Sequence, residues 1–321
     1  MNESNRNRLV VGTRGSELAL VQATATECAL ALAFPGVAVE RNVIRTTGDR
    51  RTDVALSQVA ASEGVIDKGV FTKELEIALE AGVIDIAVHS LKDVPTVVGK
   101  QFAIAGVLER AGVRDVLVSL TPGGVDALPA GAIVGTSSVR RARQINWLRP
   151  DLQIIDLRGN VPTRLRKLAD GGVYDAILLA EAGLARLGFL GGGSHARGEE
   201  PGLDISKLHF TPLSEDWFFP AAGQGAIGFE IRAEDHWARE VVNTLCHRET
   251  FLRVRAEREF LRLLDAGCHT PVGVCSELRD GMLSMRGRVF PECGGDPQTG
   301  SAQGPDSDPE DVARMLFESL S

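Results

Sequence analysis

The 321-residue sequence predicts an α/β protein with two doubly wound, bilobal domains and a small α+β domain at its C-terminus. Three observations support this fold class. Strand and helix signals alternate with short turns up to residue 95, the alternation returns at residues 132–180, and a long helix followed by a hairpin begins at residue 248. Such alternation is typical of parallel sheets that carry helices on both faces. The length agrees with several domains, because one core rarely exceeds about 250–300 residues.

The first segment alternates strands with helices that have clear stop signals. A run rich in Ala, Leu and Val at helical spacing starts after Ser16 and stops at Phe34-Pro35-Gly36, which predicts a helix. A second, amphipathic helix ends before Gly82. The predicted elements are a strand at 9–11, a turn at 13–16, helices at 17–33 and 71–81, and strands at 37–44 and 83–88.

The second segment repeats this order of elements. Ser138 is placed to cap one helix, and Asn160 with Pro162 opens the next. Ligands of such sheets bind at the carboxyl ends of the strands, so we expect the turns that follow the strands to line a cleft. The predicted elements are strands at 132–135, 152–157 and 174–180, and helices at 139–148 and 160–171.

The C-terminal segment has a different pattern. Asp280-Gly281 lies between two apolar runs and predicts a hairpin. Residues 190–204 and 291–309 are rich in Gly, Pro and polar side chains, which predicts irregular loops. The predicted elements are a helix at 248–264, strands at 272–278 and 282–290, and a helix at 311–320.

Net charge and cysteine content limit which partners, metal sites and compartments the sequence favours. The formal net charge of −8 argues against binding of nucleic acid by the whole surface. The five cysteines include no C-x-x-C pair, so no metal site is predicted, and an odd number of thiols fits a reducing compartment. The N-terminus lacks the apolar core of a signal peptide, and no apolar run is long enough to span a bilayer. These observations predict a cytoplasmic protein without a membrane partner.

Residues 138–167 carry a local excess of positive charge in this acidic chain. They hold eight Arg or Lys residues against two Asp residues. Arginine binds carboxylates and phosphates in bidentate fashion, so a small polyanion is the expected ligand. A solvated basic face is an equally good interpretation of the pattern alone. The four arginines placed just beyond predicted strand ends are Arg140, Arg141, Arg158 and Arg164.

Asp93 follows a buried strand, with His89 and Lys92 in the same turn. A fixed carboxylate there could act as a general acid or stabilise a developing cation. The alternative is an exposed Lys–Asp pair. His89 could act as a base, although a histidine at a strand end more often only forms a hydrogen bond with the backbone.

Two further positions have both a functional and a structural interpretation. The turn at Thr13-Arg14-Gly15-Ser16 precedes a helix and could bind an anion, but the residues alone favour Ser16 as a plain helix cap. Cys268 lies in a loop after the long helix. It could be a nucleophile or an attachment point, or a buried inert thiol.

Seven segments, in chain order, resemble motifs of the porphobilinogen deaminase family. The most specific is His89-Ser90-Leu91-Lys92-Asp93 with its flanking residues. The similarity extends from Arg8 to Phe290, and each segment adds to the others. The segments are residues 13–20, 71–76, 88–95, 135–141, 157–165, 223–226 and 267–273.

The resemblance implies an enzyme that deaminates four porphobilinogen molecules and condenses them head to tail into hydroxymethylbilane. It also implies a dipyrromethane cofactor joined by a thioether to Cys268, with Asp93 as the catalytic aspartate. Arginines of this family bind the acid side chains of the cofactor and the growing chain. The remaining implied cofactor-binding residues are Ser90, Lys92, Ser138, Arg140, Arg141, Arg158 and Arg164. The implied substrate-binding residues are Arg14, Ser16, Lys68 and Gln224.

The family has three domains, the first two similar to periplasmic binding proteins and the first discontinuous. Here they are expected at residues 1–110 with 218–244, at 111–217 and at 245–321. The resemblance also implies a monomer whose partner is the small-molecule substrate. One alternative is a non-catalytic bilobal protein that binds a small carboxylate, and another is the effector domain of a LysR-type regulator. The presence of both Cys268 and Asp93 and the absence of an export signal argue against the binding protein. The absence of a helix-turn-helix signal argues against the regulator.

Overall fold

The computed structural model describes residues 7–46, 71–190, 203–266, 270–291 and 295–321. The chain divides into two compact units, of which the first comprises residues 1–111 with 225–255 and the second 112–224 with 256–321. No helix within the described ranges is long and apolar enough to cross a membrane. The division into three domains remains a prediction.

Many of the strands and helices that the described residues form lie close to predicted ones. In chain order they are β1 (Arg8–Arg14), α1 (Glu17–Ala33), β2 (Ala38–Ile44), α2 (Lys73–Glu80), β3 (Ile86–Ser90), β4 (Phe102–Val107), β5 (Asp115–Ser119), β6 (Ile133–Gly135), α3 (Val139–Leu148), β7 (Gln153–Ile155), α4 (Val161–Ala169), β8 (Ala176–Ala180), α5 (Glu181–Arg186), β9 (His209–Pro212), β10 (Ile227–Arg232), α6 (His236–Leu245), α7 (Arg248–Leu263), β11 (Val272–Arg279), β12 (Met282–Val289), β13 (Gln298–Pro305) and α8 (Pro309–Glu318). Short 3-10 turns lie at Leu91–Asp93 and Val125–Ala127.

The first unit is built on a five-stranded sheet in the order β2-β1-β3-β10-β4. β1 runs parallel to β2 and β3, whereas β10 runs antiparallel to β3 and β4. The sheet is therefore mixed rather than wholly parallel, because its fourth strand comes from a distant part of the chain. Apolar side chains of β1, β3, β10, α1 and α6 form the core of this unit.

The second unit contains a similar five-stranded sheet in the order β7-β6-β8-β5-β9. β6 runs parallel to β7 and β8, and β5 runs antiparallel to β8 and β9. Two helices at this sheet begin at the predicted caps. Ser138 Oγ accepts a hydrogen bond from Arg141 N at 3.4 Å, and Asn160 Oδ1 accepts one from Thr163 N at 2.9 Å.

The C-terminal part of the second unit is a three-stranded antiparallel sheet, β11-β12-β13, against which α8 packs. The predicted hairpin is confirmed, and its turn residues Asp280 and Gly281 both have positive φ, 51° and 75°. The prediction of an irregular segment at 291–309 was wrong, because β13 pairs with β12 along its full length. This strand reads Gln-Thr-Gly-Ser-Ala-Gln-Gly-Pro and has no apolar alternation that would have revealed it.

Candidate active site

A pocket in the first unit lies where β1 and β3 end. It collects four of the predicted site residues, Arg14, Ser16, Ser90 and Asp93. Because β1 and β3 are parallel neighbours, their carboxyl ends meet at one edge of the sheet. The other lining residues are Leu18, Ala19, Gln22, Phe71, Thr72, Val88 and His89.

One wall of the pocket is suited to an anion. The Arg14 guanidinium lies 4.1 Å from the centre of the Phe71 ring, a distance typical of a cation–π contact. Ser16 caps α1, since its Oγ accepts a hydrogen bond from Ala19 N at 3.4 Å. The cap interpretation of Ser16 is therefore confirmed, and the same residue also lines the pocket. The N-terminus of α1 adds the positive end of a helix dipole.

The turn that carries Asp93 is anchored to β10. Leu91 N donates a hydrogen bond to Ala226 O at 3.1 Å, and the buried Leu91 side chain packs on Gly228. A Cβ at position 228 would lie 2.8 Å from Leu91 Cδ1, so the Leu91 side chain would have to shift to accommodate a larger residue there. Lys92 belongs to the same turn, between Leu91 and Asp93.

Gln22 is a pocket residue that the sequence analysis missed. Its side chain is buried, its Nε2 lies 2.8 Å from Ser90 Oγ, and its Oε1 lies 3.1 Å from the same hydroxyl. The signal was available, because Gln22 is a polar residue within the apolar run that predicts α1. Its contact fixes Ser90 from the neighbouring helix.

The predicted anion-binding residues of the second unit converge on a carboxylate that the sequence analysis did not single out. Arg140 Nη1 lies 2.7 Å from Asp115 Oδ2, and Arg141 Nε lies 2.8 Å from Asp115 Oδ1. Gln224 Nε2 donates to the same Oδ1 at 3.1 Å. All four side chains are buried. Two guanidinium groups therefore meet one carboxylate, which leaves this cluster with a net positive charge.

One N–H group of Arg140 forms no hydrogen bond with the described residues. Its Nη1 donates to Phe219 O at 2.6 Å, but its buried Nε has no hydrogen-bond partner among the described residues. A buried N–H without a partner is costly, and a ligand oxygen would satisfy it.

The other predicted arginines of the second unit differ from each other. Arg164 Nε donates to Gly159 O at 2.7 Å, which closes the first turn of α4. Arg158 is half-buried, and within the described ranges its side chain makes no hydrogen bond or ion pair. Arg158 is therefore the cation of the set best able to accept an anionic ligand. Lys68 and Cys268 lie outside the described residues.

The described cysteines have contrasting environments. Cys275 is buried, and burial raises the pKa of its thiol to about 12. Burial also raises the pKa of Cys246. Cys28 is exposed, although its place in an apolar stretch predicts burial, because it lies on the outer face of α1.

Comparison with known proteins gives two family models that together span most of the chain. The model described as "Porphobilinogen deaminase, dipyromethane cofactor binding domain" matches residues 9–240. The chain belongs to the porphobilinogen deaminase family. A second model, "Porphobilinogen deaminase, C-terminal domain", matches residues 251–320.

Porphobilinogen deaminases from several bacteria are similar over nearly the whole length. That of Syntrophobacter fumaroxidans is 44% identical over 87% of this chain and 83% of its own length. That of Desulforudis audaxviator is 43% identical over 97% of this chain and 93% of its own. The predicted family is therefore confirmed.

Similarities to solved structures are much weaker. The periplasmic aliphatic sulphonate binding protein SsuA from Escherichia coli has a TM-score of 0.39 and 13% identity over 81% of this chain and 71% of its own. The BenM effector binding domain with its effector benzoate has a TM-score of 0.42 and 12% identity over 81% and 94%. Similarity at this level supports no conclusion about function.

Proposed function

We propose that this member of the porphobilinogen deaminase family is a hydroxymethylbilane synthase, a transferase of tetrapyrrole biosynthesis on the route to porphyrins and heme. It deaminates four porphobilinogen molecules, condenses them head to tail and releases ammonia. The observation that carries the proposal is the position of Asp93, a carboxylate in one pocket with Arg14, Ser16 and Ser90. Such a pocket can bind an acidic substrate and place a group for proton transfer beside it.

Asp93 is the proposed catalytic residue. A carboxyl group in the pocket can give a proton to the leaving amine of porphobilinogen, and its carboxylate can then stabilise the cation that remains. Arg14 and Ser16 supply donors for the acetate and propionate groups of the substrate. Gln22 is a positioning residue, since it holds the Ser90 hydroxyl in the wall of the pocket.

The residues of the second unit fit a dipyrromethane cofactor, which carries several carboxylates. The supporting observation is the net positive cluster at Asp115, in which Arg140 has a buried Nε without a partner among the described residues. Arg140, Arg141, Arg158, Arg164 and Ser138 are the proposed contacts for the cofactor's acid groups. When bound, the cofactor supplies the free pyrrole α-carbon to which the first substrate unit is joined.

Cys268 is the proposed attachment point of the cofactor. Support comes from its family motif, residues 267–273, and from the environments of other cysteines. A thiolate is the reactive form of cysteine, and burial disfavours it at Cys275 and Cys246. Cys28 lies in α1, outside the seven motif segments.

The test is the intact mass of the denatured protein together with peptide mapping. We expect a mass excess of two linked pyrrole units on the Cys268 peptide, which Cys268→Ser abolishes and Cys28→Ser retains. Incubation with porphobilinogen should release hydroxymethylbilane and ammonia. Cofactor on another peptide would overturn the attachment site. Purified protein that binds porphobilinogen without turnover would favour the non-catalytic carboxylate-binding alternative.

We further propose that the protein works as a monomer in the cytoplasm. The small-molecule chemistry assigned to each unit needs no second chain, and porphobilinogen and water are the partners that the proposed reaction requires. Light scattering of the purified holoenzyme should give the mass of one chain. A stable dimer at micromolar concentration would refute this part of the proposal.

A further inference from the structure

His89 lies in the wall of the same pocket as Asp93, yet the proposed reaction gives it no role. It is the fourth residue of β3, and only 5% of its surface is exposed. Its Nε2 lies 2.9 Å from Glu230 Oε2. Glu230 belongs to β10, the antiparallel neighbour of β3, and pairs with Ala87. The two side chains lie on one face of the sheet, since His89 pairs with Gly228, two residues before Glu230.

Glu230 is fully buried, and His89 forms its one side-chain hydrogen bond to a described residue. The other carboxylate oxygen, Oε1, is buried without a partner among those residues. A buried carboxylate needs a compensating charge. Glu76 of α2 adds a second acidic group, and its pKa is raised by burial first and by the charge of Glu230 second. One imidazole is therefore set against two carboxyl groups, those of Glu230 and Glu76.

The other ring nitrogen of His89, Nδ1, makes no hydrogen bond with any residue in the described ranges. The ring lines a pocket whose other charged residues are Arg14 from β1 and Asp93 from the 3-10 turn. Lys92 lies in that turn as well. Because Glu230 holds Nε2, Nδ1 is the ring nitrogen left to contact a ligand. An ionised carboxylate is the acceptor with which a ring N–H forms its strongest hydrogen bond.

We propose that His89 is a substrate-binding residue whose Nδ1–H binds one carboxylate of porphobilinogen, and that Glu230 is the positioning residue that holds the His89 ring through Nε2. This inference rests on the proposed function, because the ligand is taken from it. It adds a second hydrogen-bond donor beside Arg14 to a pocket that must hold a substrate with two acid arms.

The test measures binding rather than turnover. The probe is the unreactive pyrrole that carries the acetate and propionate arms of porphobilinogen but no aminomethyl group. Its Kd for the holoenzyme is measured by titration calorimetry, together with that of each of its two monomethyl esters. For the diacid, we expect His89→Gln and Glu230→Gln each to raise Kd by about tenfold or more, the effect of losing one charge-assisted hydrogen bond.

The esters identify the contact. In the wild type, one ester should bind about tenfold more weakly than the diacid. In His89→Gln, that ester and the diacid should bind equally well, because the contact that the ester removes is already lost. The matched control is Asp235→Asn. Asp235 is a buried carboxylate of the same unit paired with Arg232, and its loss should lower stability without changing Kd.

Two outcomes would overturn the inference. One is a diacid Kd that is unchanged in both variants. The other is that each ester weakens binding by the same factor in His89→Gln as in the wild type, so that neither arm depends on His89. If His89→Gln fails to fold, Glu230→Gln keeps the shape of the side chain and decides the question. Failure of the proposed function is distinct, since the wild type would then neither bind the diacid nor turn over porphobilinogen.

Discussion

Replacing Asp115 with Asn is expected to lower the free energy of unfolding of the second unit by about 3–5 kcal/mol, the cost of breaking a buried ion pair from one side. Asp115 has no exposed surface, and its carboxylate accepts hydrogen bonds from Arg140, Arg141 and Gln224. Asparagine has almost the same shape but turns an acceptor into a donor that faces a guanidinium. The variant leaves two buried guanidinium groups without their common counter-charge.

The assay is urea unfolding at equilibrium, followed by tryptophan fluorescence. Trp147 and Trp217 lie in the second unit, and Trp237→Phe removes the signal of the first. A loss of this size is a large part of the about 5–15 kcal/mol by which domains are stable, so the midpoint should fall clearly.

The control for Asp115→Asn is Asp151→Asn, which breaks the Arg149–Asp151 pair at the surface of the same unit. Exposed pairs contribute little, so its midpoint should stay near that of the parent protein. Equal midpoints for the two variants would refute the argument that Asp115 is the buried counter-charge of this cluster.

Three further predictions concern the site and the thiols. Asp93→Asn should retain the covalent cofactor but lower kcat by about a hundredfold or more, and near-normal turnover would contradict the acid role. Arg158→Ala should leave the unfolding midpoint unchanged, since the side chain has no partner among the described residues, but should slow cofactor assembly or elongation; unchanged kinetics would favour a solvated basic face. Because burial raises the pKa of Cys275 to about 12, its reactive thiolate is scarce below that pH, so iodoacetamide at pH 8 should modify the exposed Cys28 before Cys275. Equal alkylation rates would contradict the burial of Cys275.

The parts of the fold that the sequence predicted are those with local signals. α1 and α3 have the predicted bounds, because Ser16 and Ser138 cap them and Phe34 and Pro150 follow their ends. β13 has no such signal, because its side chains are small and polar. Backbone pairing with β12 forms this strand. Strands β4, β5 and β9 were not predicted either.

In the candidate site, too, local signals predict some residues, whereas others depend on contacts between distant parts of the chain. The turns after β1 and β3 could be predicted as neighbours, because parallel strands end at one edge of a sheet. Asp115 could not, because its partners Arg140 and Gln224 are 25 and 109 residues away in the chain. Glu230 is a single acidic residue in an apolar run, and its role depends on the register between β10 and β3.

The position of β10 has a consequence for synthesis on the ribosome. This strand lies between β3 and β4 and supplies Ile227, Phe229 and Ile231 to the core of the first unit. The N-terminal 111 residues therefore leave the ribosome with two unpaired strand edges and an incomplete core, while residues 112–224 can already form their complete five-stranded sheet. Residues 1–111 can therefore complete their sheet only after residues 227–232 have been made, and until then the facing edges of β3 and β4 are open to pairing with other strands.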